Sequence, residues 1–272
     1  MAQMGLIQMT SGPNAEENLR YMATQIGQLA REGAQLIISP ENALVFGSRA
    51  DYYHYAEALD DGPLQAEVAS LAKQFSVWVV IGSMPIRTSR GVETTTIVFD
   101  HNGKLASHYA KLHMFDVDVA DGHRRYRESE TFTAGAQIVT VSTPFAHLGL
   151  SICYDVRFPS LYTELAQLGA NVLLVPAAFT AVTGRAHWET LLKARAIETQ
   201  SWVVAVNQVG THPCGRQTWG HSMVVSPWGK VVASLTDQTA NLLVDINVSQ
   251  VDELRVAMPV LQHSRFNNQL KN

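Results

Sequence analysis

Cysteine is scarce in this chain of 272 residues: only Cys153 and Cys214 are present. Two such residues make no disulfide framework, and neither has the resolving partner of a CxxC redox motif, which argues against a thiol-redox protein. Positive charge is scarce as well. Twenty Lys and Arg stand against 24 Asp and Glu, a net charge of -4 with an isoelectric point near 6.2. With no basic stripe to neutralise phosphates, nucleic acid is not an expected partner. Long apolar runs are missing too. "VWVVIG" gives way to polar residues, far short of the roughly 18 residues a membrane span needs. The opening "MAQMGLIQMT" has no Lys or Arg before its apolar residues and no small-residue cleavage site, so a first strand is expected there, not a signal peptide. These absences together lead to the expectation of a reduced, cytoplasmic protein that binds neither membrane nor nucleic acid. No Walker or dinucleotide glycine motif occurs, and no cofactor is implied.

What is present has the length and composition of one large globular domain. No short repeat, low-complexity segment or Pro/Ser-rich linker divides it, so residues 1–272 are expected to form a single unit. Strand-length runs rich in β-branched residues alternate with amphipathic stretches. Strands are expected at Met4–Met9, Leu36–Ser39, Trp78–Gly82, Thr95–Asp100, Ala106–Lys111 and Ile138–Val141. Further strands are expected at Gly149–Cys153, Val172–Val175, Trp202–Asn207, Met223–Val225, Val231–Ser234 and Leu242–Asp245. Helices are expected at Ala15–Glu32, Pro63–Gln74, Phe158–Leu168, Trp188–Thr199 and Gln250–Met258. "DHNGK" and "SPWGK" read as hairpin turns, and the mixture points to an α/β fold with mixed sheets and helices packed outside.

Two long connections have no periodicity. Leu44–Gly62 follows "SPEN" and is rich in aromatics, and Met114–Ala134 follows "KLH" and is crowded with charge. Structureless connections of this length usually form lids or binding loops, and α/β folds build their sites where strands end. Three such ends carry chemistry: Glu41 after "LIISP", Lys111 after "SHYA" and Cys153 after "GLSI". A thiol of ordinary pKa is only a few per cent thiolate at neutral pH. A buried carboxylate can take its proton, and an ammonium can stabilise both the thiolate and the oxyanion on an attacked carbonyl. The backbone N–H of Tyr154 is a second candidate oxyanion donor. Against this stands the plain alternative in which Glu41 caps a loop, Lys111 lies on the surface and Cys153 fills the core.

The blocks "ISPENAL", "YAKLHMFD" and "GLSICYDVRFPSLYTELAQLGANVLLVPAAF" resemble the Glu, Lys and Cys signatures of the nitrilase superfamily of carbon–nitrogen hydrolases. The resemblance runs from Gly5 to about Phe266, with the blocks in family order. It implies a four-layer αββα sandwich with mixed sheets that assembles as a homodimer or higher homo-oligomer. It also implies roles: Glu41 as general base, Lys111 as transition-state stabiliser and Cys153 as nucleophile. Glu128 in "YRESETFTAG" stands where the family has a second glutamate supporting the lysine, with Glu130 as the alternative. "TGRAHWETLLKARAIETQSWVVAVNQVGTH", "WGHSMVVSPWGKVVA" and "MPVLQHSR" narrow the resemblance to the Nit branch, and within it to the deaminated glutathione amidases more than the ω-amidases. The implied substrate is then a small 2-oxo amide, deaminated glutathione first and 2-oxoglutaramate second. A catalytically silent binding member of the same fold is the reading from another class, and the intact Glu41, Lys111 and Cys153 argue against it.

Arg157, which matches the family's arginine, is the candidate reader of a 2-oxo carboxylate, with a salt bridge to Asp155 or Glu164 as its alternative. Thr183 is a candidate for the same end of the substrate or for capping a loop. Arg185 departs from the proline expected in "TGPAHW", either altering substrate preference or decorating a loop. His187 and Trp188 open a helix and are expected to serve packing. His101, His108 and His113 lack zinc spacing. Asp116, Asp118 and Asp121 with Gly122 faintly suggest a calcium loop, but its twelfth position is Arg127, so no metal is expected. Cys214 reads as a loop thiol without a base.

Overall fold

The structure, a computed structural model, describes residues 1–268 and 270. The first half supplies β1 (Ala2–Gln8), α1 (Ala15–Arg31), β2 (Leu36–Ile38), α2 (Arg49–His54) and α3 (Pro63–Phe75). Three antiparallel strands follow: β3 (Trp78–Thr88), β4 (Gly91–Phe99) and β5 (Leu105–Ala110). A ribbon, β6 (Asp116–Asp118) with β7 (Arg125–Arg127), leads into a 3-10 turn at Glu128–Glu130. The second half runs β8 (Thr140–Ser142), β9 (His147–Leu150), a 3-10 turn at Cys153–Arg157, α4 (Pro159–Gln167), β10 (Val172–Ala177), α5 (Ala181–Thr199) and β11 (Trp202–Asn207). It continues as a second ribbon, β12 (Val209–Thr211) with β13 (Gln217–Trp219), then β14 (Met223–Val225), β15 (Val231–Ser234) and β16 (Ala240–Ile246). Two short helices follow, α6 (Ser249–Ala257) and α7 (Val260–His263).

Two six-stranded sheets result, ordered β16-β1-β2-β3-β4-β5 and β15-β14-β11-β10-β9-β8. Each is mixed: β1, β2 and β3 run parallel, as do β9, β10 and β11, with antiparallel neighbours on both sides. Strand alternation sorts the side chains of the first sheet. Leu6, Leu36, Ile38 and Val80 face the second sheet and join one core with Leu148, Leu150, Val172 and Leu174. Ile7, Ile37 and Val79 point the other way, onto Met22, Ile26 and Leu29 of α1 and Val68 of α3. Leu161 and Leu165 of α4 and Trp188 and Leu192 of α5 cover the outer face of the second sheet. The layers are therefore helix, sheet, sheet, helix, the αββα sandwich expected from the resemblance.

Local chemistry places the helices. Asn14 caps α1 by accepting from the Glu17 amide at 3.0 Å, and Pro63 opens α3. The stretch 44–62 is less bare than expected, because Ser48 and Asp51 form a capping box that starts α2. The helix expected from Trp188 begins at Ala181, with Thr180 as its cap, so His187 and Trp188 lie inside it. "AVTGRAH" carries poor helix formers, and tertiary packing overrides them: a Cβ at Gly184 would lie 2.3 Å from the Trp219 side chain. The strand expected at Gly149–Cys153 stops at Leu150, for a reason that belongs to the site.

Candidate active site

Glu41, Lys111 and Cys153 come from three strand ends and meet at one end of the sandwich. Glu41 follows β2, where "SPEN" leaves the sheet. Gly82 allows this passage, since a Cβ there would sit 2.1 Å from the Ser39 carbonyl oxygen and 2.4 Å from that of Pro40. The Ser39 hydroxyl accepts from the Gly82 amide at 3.0 Å, and Gln208 Nε2 donates to the Glu41 carbonyl at 3.0 Å. Lys111 follows β5, its carbonyl accepting from the Gly135 amide at 2.8 Å.

Cys153 is the first residue of a 3-10 turn, with a left-handed backbone at φ 46°. Asp155 imposes this turn. Its Oδ2 accepts from the Ile152 amide at 2.8 Å, beyond the strand's end at Leu150, three residues before the cysteine. The same carboxylate accepts from Tyr109 Oη at 2.7 Å and from the His113 amide at 3.1 Å, and lies 2.7 Å from His113 Nδ1. Tyr109 and His113 flank Lys111 in sequence. Asp155, fully buried, therefore ties the cysteine turn to the lysine strand. This is its place instead of a bridge to Arg157.

The charged groups saturate one another. Lys111 Nζ donates to Glu41 Oε1 at 2.7 Å and to both oxygens of Glu128 at 2.8 and 2.9 Å. Glu41 Oε2 accepts from the Ala178 amide at 2.8 Å, and Glu128 Oε2 from the Phe115 amide at 2.6 Å. Glu130 is exposed and pairs with Arg125 at 3.0 Å, so of the two glutamates Glu128 is the one on the lysine. Burial works against the Lys111 charge, but Glu128 and Glu41 outweigh it and hold its pKa well above the ordinary lysine range. Burial also raises the Glu128 carboxyl, with Lys111 pulling the other way. Cys153 is buried, which pushes its thiol well up, and the adjacent Glu41 carboxylate adds to this against the opposing Lys111 charge. The thiol thus sits beside both the Glu41 carboxylate and the Lys111 ammonium.

Around this cluster opens a cavity of about 760 Å³, counting its mouth. Glu41, Lys111, Glu128 and Cys153 form its floor, together with Tyr154, Ala178 and Asn42. Phe115, Tyr126, Phe132, Tyr52 and Phe179 supply aromatic walls, and Thr180, Thr183 and Thr218 a hydroxyl-bearing edge. Thr183 both faces the cavity and bonds through its Oγ1 to Thr180 Oγ1 at 2.7 Å, where α5 begins. Arg157 is not among the lining residues. It lies just behind them, its guanidinium carbon 5.1 Å from the Phe179 ring centre and 5.9 Å from that of Tyr154, with one nitrogen 3.3 Å from His187 Nδ1. Arg185 is exposed on α5 over the Trp219 ring, away from the lining.

Other candidates are brought elsewhere. Asp118 pairs with Arg127, Asp116 accepts from the Ser129 amide, and Asp121 accepts from the His123 and Arg124 amides, so the three carboxylates hold a turn together. Cys214 is exposed on the turn between β12 and β13. Arg216 on that turn and Arg127 on β7 line the cavity and have no strand-end or periodic signal. Only the Gly-containing "PCGRQTW" hints at a hairpin placing an arginine near the mouth. Among the described residues, no helix is long and apolar enough to cross a membrane.

Comparison with known proteins gives a consistent result. A model of the carbon–nitrogen hydrolase family matches residues 3–256. A deaminated glutathione amidase of Yersinia enterocolitica is 47% identical over 268 residues, covering 97% of this chain and 93% of that protein. Among solved structures, the C. elegans NitFhit protein superposes with a TM-score of 0.89 at 37% identity, covering 97% of this chain and 66% of that one. Saccharomyces cerevisiae Nit3, a member of branch 10 of the nitrilase superfamily, has a TM-score of 0.87 at 28% identity, with 97% of both chains covered.

Proposed function

This chain belongs to the carbon–nitrogen hydrolase family, and we propose that it is a cysteine amidase acting on deaminated glutathione, releasing 2-oxoglutarate and Cys-Gly. The observation that carries the reading is the Glu41–Lys111–Glu128 ion-pair network, centred on the buried Lys111, beside the Cys153 thiol. The 47% identical Yersinia relative supports the choice of substrate.

Glu41 takes the Cys153 proton as the sulfur attacks the amide carbonyl, forming the C–S bond. The carbonyl oxygen becomes an oxyanion held by the Lys111 ammonium and the Tyr154 N–H. Collapse breaks the C–N bond, and Glu41 returns its proton to the leaving nitrogen, freeing Cys-Gly and leaving a thioester. Water then gives a proton to Glu41 and attacks the thioester. The C–S bond breaks, the thiolate regains that proton, and 2-oxoglutarate departs. Glu128 holds Lys111 in place throughout, through its two hydrogen bonds. Arg157, just behind the lining beside Tyr154 and Phe179, is assigned to the 2-oxo carboxylate, with Thr183 nearby on the lining.

The family match over residues 3–256 supports one catalytic domain for the whole chain. We take it to work in the cytoplasm as a homodimer or higher homo-oligomer. Val256, Met258, Val260 and Phe266, exposed near the chain end, support a covering neighbour. Ammonia and 2-oxoglutarate release measured across a panel of 2-oxo amides tests the substrate. Deaminated glutathione should give the highest kcat/KM, and Arg157→Ala should lower that value at least about tenfold. A clear preference for 2-oxoglutaramate would make the enzyme an ω-amidase, and activity on neither would remove the proposal.

A further inference from the structure

Three cations line the cavity, and two are engaged. Lys111 is held by Glu41 and Glu128. Arg127 donates to Asp118 at 3.0 Å and to the carbonyls of Val117 and Tyr126 at 3.0 and 2.6 Å. Arg216 stands apart. Among the described residues, no carboxylate lies within ion-pair distance of its guanidinium. Its neighbours are rings instead: its guanidinium carbon is 5.7 Å from the Phe46 centre and 5.2 Å from that of Tyr126.

Those rings are themselves fixed. Phe46 stacks on His212 at 3.9 Å, and the buried His212 imidazole is hydrogen-bonded to the Ser11 carbonyl and to Thr218 Oγ1. Tyr126 Oη donates to Asp121 at 2.8 Å. Aromatic contact steadies the flat guanidinium without consuming the N–H donors along its edge. Such an edge, facing a cavity and lacking a protein anion, suits two-pronged recognition of a carboxylate.

Arg157 stands behind another part of the lining. Its contacts are Tyr154, Phe179 and His187, none of them shared with Arg216. One free cation on the cavity wall, with Arg157 just behind a different part of the lining, matches a substrate with an anion on each side of the amide that is cut. We propose that Arg216 binds the carboxylate of the leaving amine, making the enzyme selective for 2-oxo amides whose amine half is a short peptide with a free C-terminus. This rests on the amidase reading above. In deaminated glutathione the group concerned is the glycine carboxylate.

A charge-removal cycle tests the assignment. Deaminated glutathione and its C-terminal amide, identical at the scissile bond, are compared in wild type, Arg216→Gln and Arg216→Lys. In wild type, amidation should lower kcat/KM at least about tenfold, chiefly through KM, because one charge-assisted pair is lost. In Arg216→Gln the two substrates should differ by less than about twofold, and Arg216→Lys should restore part of the difference. A purely structural role for Arg216 would lower both substrates together and keep the wild-type ratio, which would overturn the assignment. Equal rates for the two substrates in wild type would also overturn it while leaving the amidase reading intact. Wild-type inactivity on both would instead defeat the amidase reading.

Discussion

The floor of the cavity and its outer wall are built on opposite terms. On the floor, Glu41 and Lys111 are buried and Glu128 partly so, and each charged group has at least two hydrogen-bond partners on different elements. The outer wall stands on two short ribbons, β6–β7 and β12–β13, and there Arg216 is only partly buried and held by rings. A saturated network leaves little freedom for geometry or protonation, which is what a fixed covalent step requires. An unpaired cation on a two-stranded ribbon can be kept, moved or replaced without disturbing that step. Reaction class is thus set by the floor and substrate choice by the wall, so substitutions in the two places should differ in kind.

The largest effect should come from Lys111→Arg. Arginine keeps the charge, but its planar fork does not reproduce one ammonium donating to Glu41 and to both oxygens of Glu128. Turnover should fall about 10²–10³-fold, close to the loss in Lys111→Ala, when 2-oxoglutarate release is followed at saturating deaminated glutathione. Near wild-type turnover would mean that the floor tolerates rearrangement as the wall does.

Asp155→Ala should affect stability as well as rate. It strips an acceptor from the Tyr109 hydroxyl and from the Ile152 and His113 amides, within the core and beside it. Leaving such donors unpaired should cost about 3–5 kcal/mol, read as a shift in the urea midpoint with m unchanged. Loss of activity with no loss of stability would show that Asp155 acts on the thiol alone and does not hold the turn to the lysine strand.

A smaller effect, confined to the outer wall, should appear with pH. Burial, with some opposition from the Ser11 carbonyl bond, lowers His212 from its usual 6.5 to about 4, and the Arg216 charge adds to the shift. The unfolded chain therefore binds a proton at His212 between those values that the folded chain does not. Stability contributed by the neutral imidazole is present above pH 6.5 and is lost as pH falls from 6.5 toward 4. In His212→Gln the fall in melting temperature over that window should be shallower than in the wild type. An identical slope in both proteins would place the acid sensitivity elsewhere.

The same division explains what the sequence made legible. The sandwich followed from alternating strands and striped helices, with β11, β14 and β15 matching their expected bounds. The floor residues stood at strand ends beside recognisable blocks, so Glu41, Lys111 and Cys153 were within reach, and Glu128 followed from the resemblance. The wall was not. Arg216 owes its place to a ribbon of two three-residue strands, too short for a periodic signal, and its rings come from residues far away in sequence. Asp155 was visible beside the cysteine, but its partners Tyr109 and His113 become neighbours only once the two sheets have packed. Arg157 was expected to read a substrate carboxylate, and its contacts with the Phe179 and Tyr154 rings hold it just behind the cavity lining.

The covalent step on the floor is open to direct observation. Rapid acid quenching during turnover of deaminated glutathione, followed by intact-mass spectrometry and peptide mapping, reads any acyl group on the enzyme. A single 2-oxoglutaryl group should appear on the peptide containing Cys153, be absent in Cys153→Ala, and persist in Cys214→Ala. An acyl group on Cys214, or undiminished hydrolysis by Cys153→Ala, would contradict a thioester formed at the buried thiol between Glu41 and Lys111.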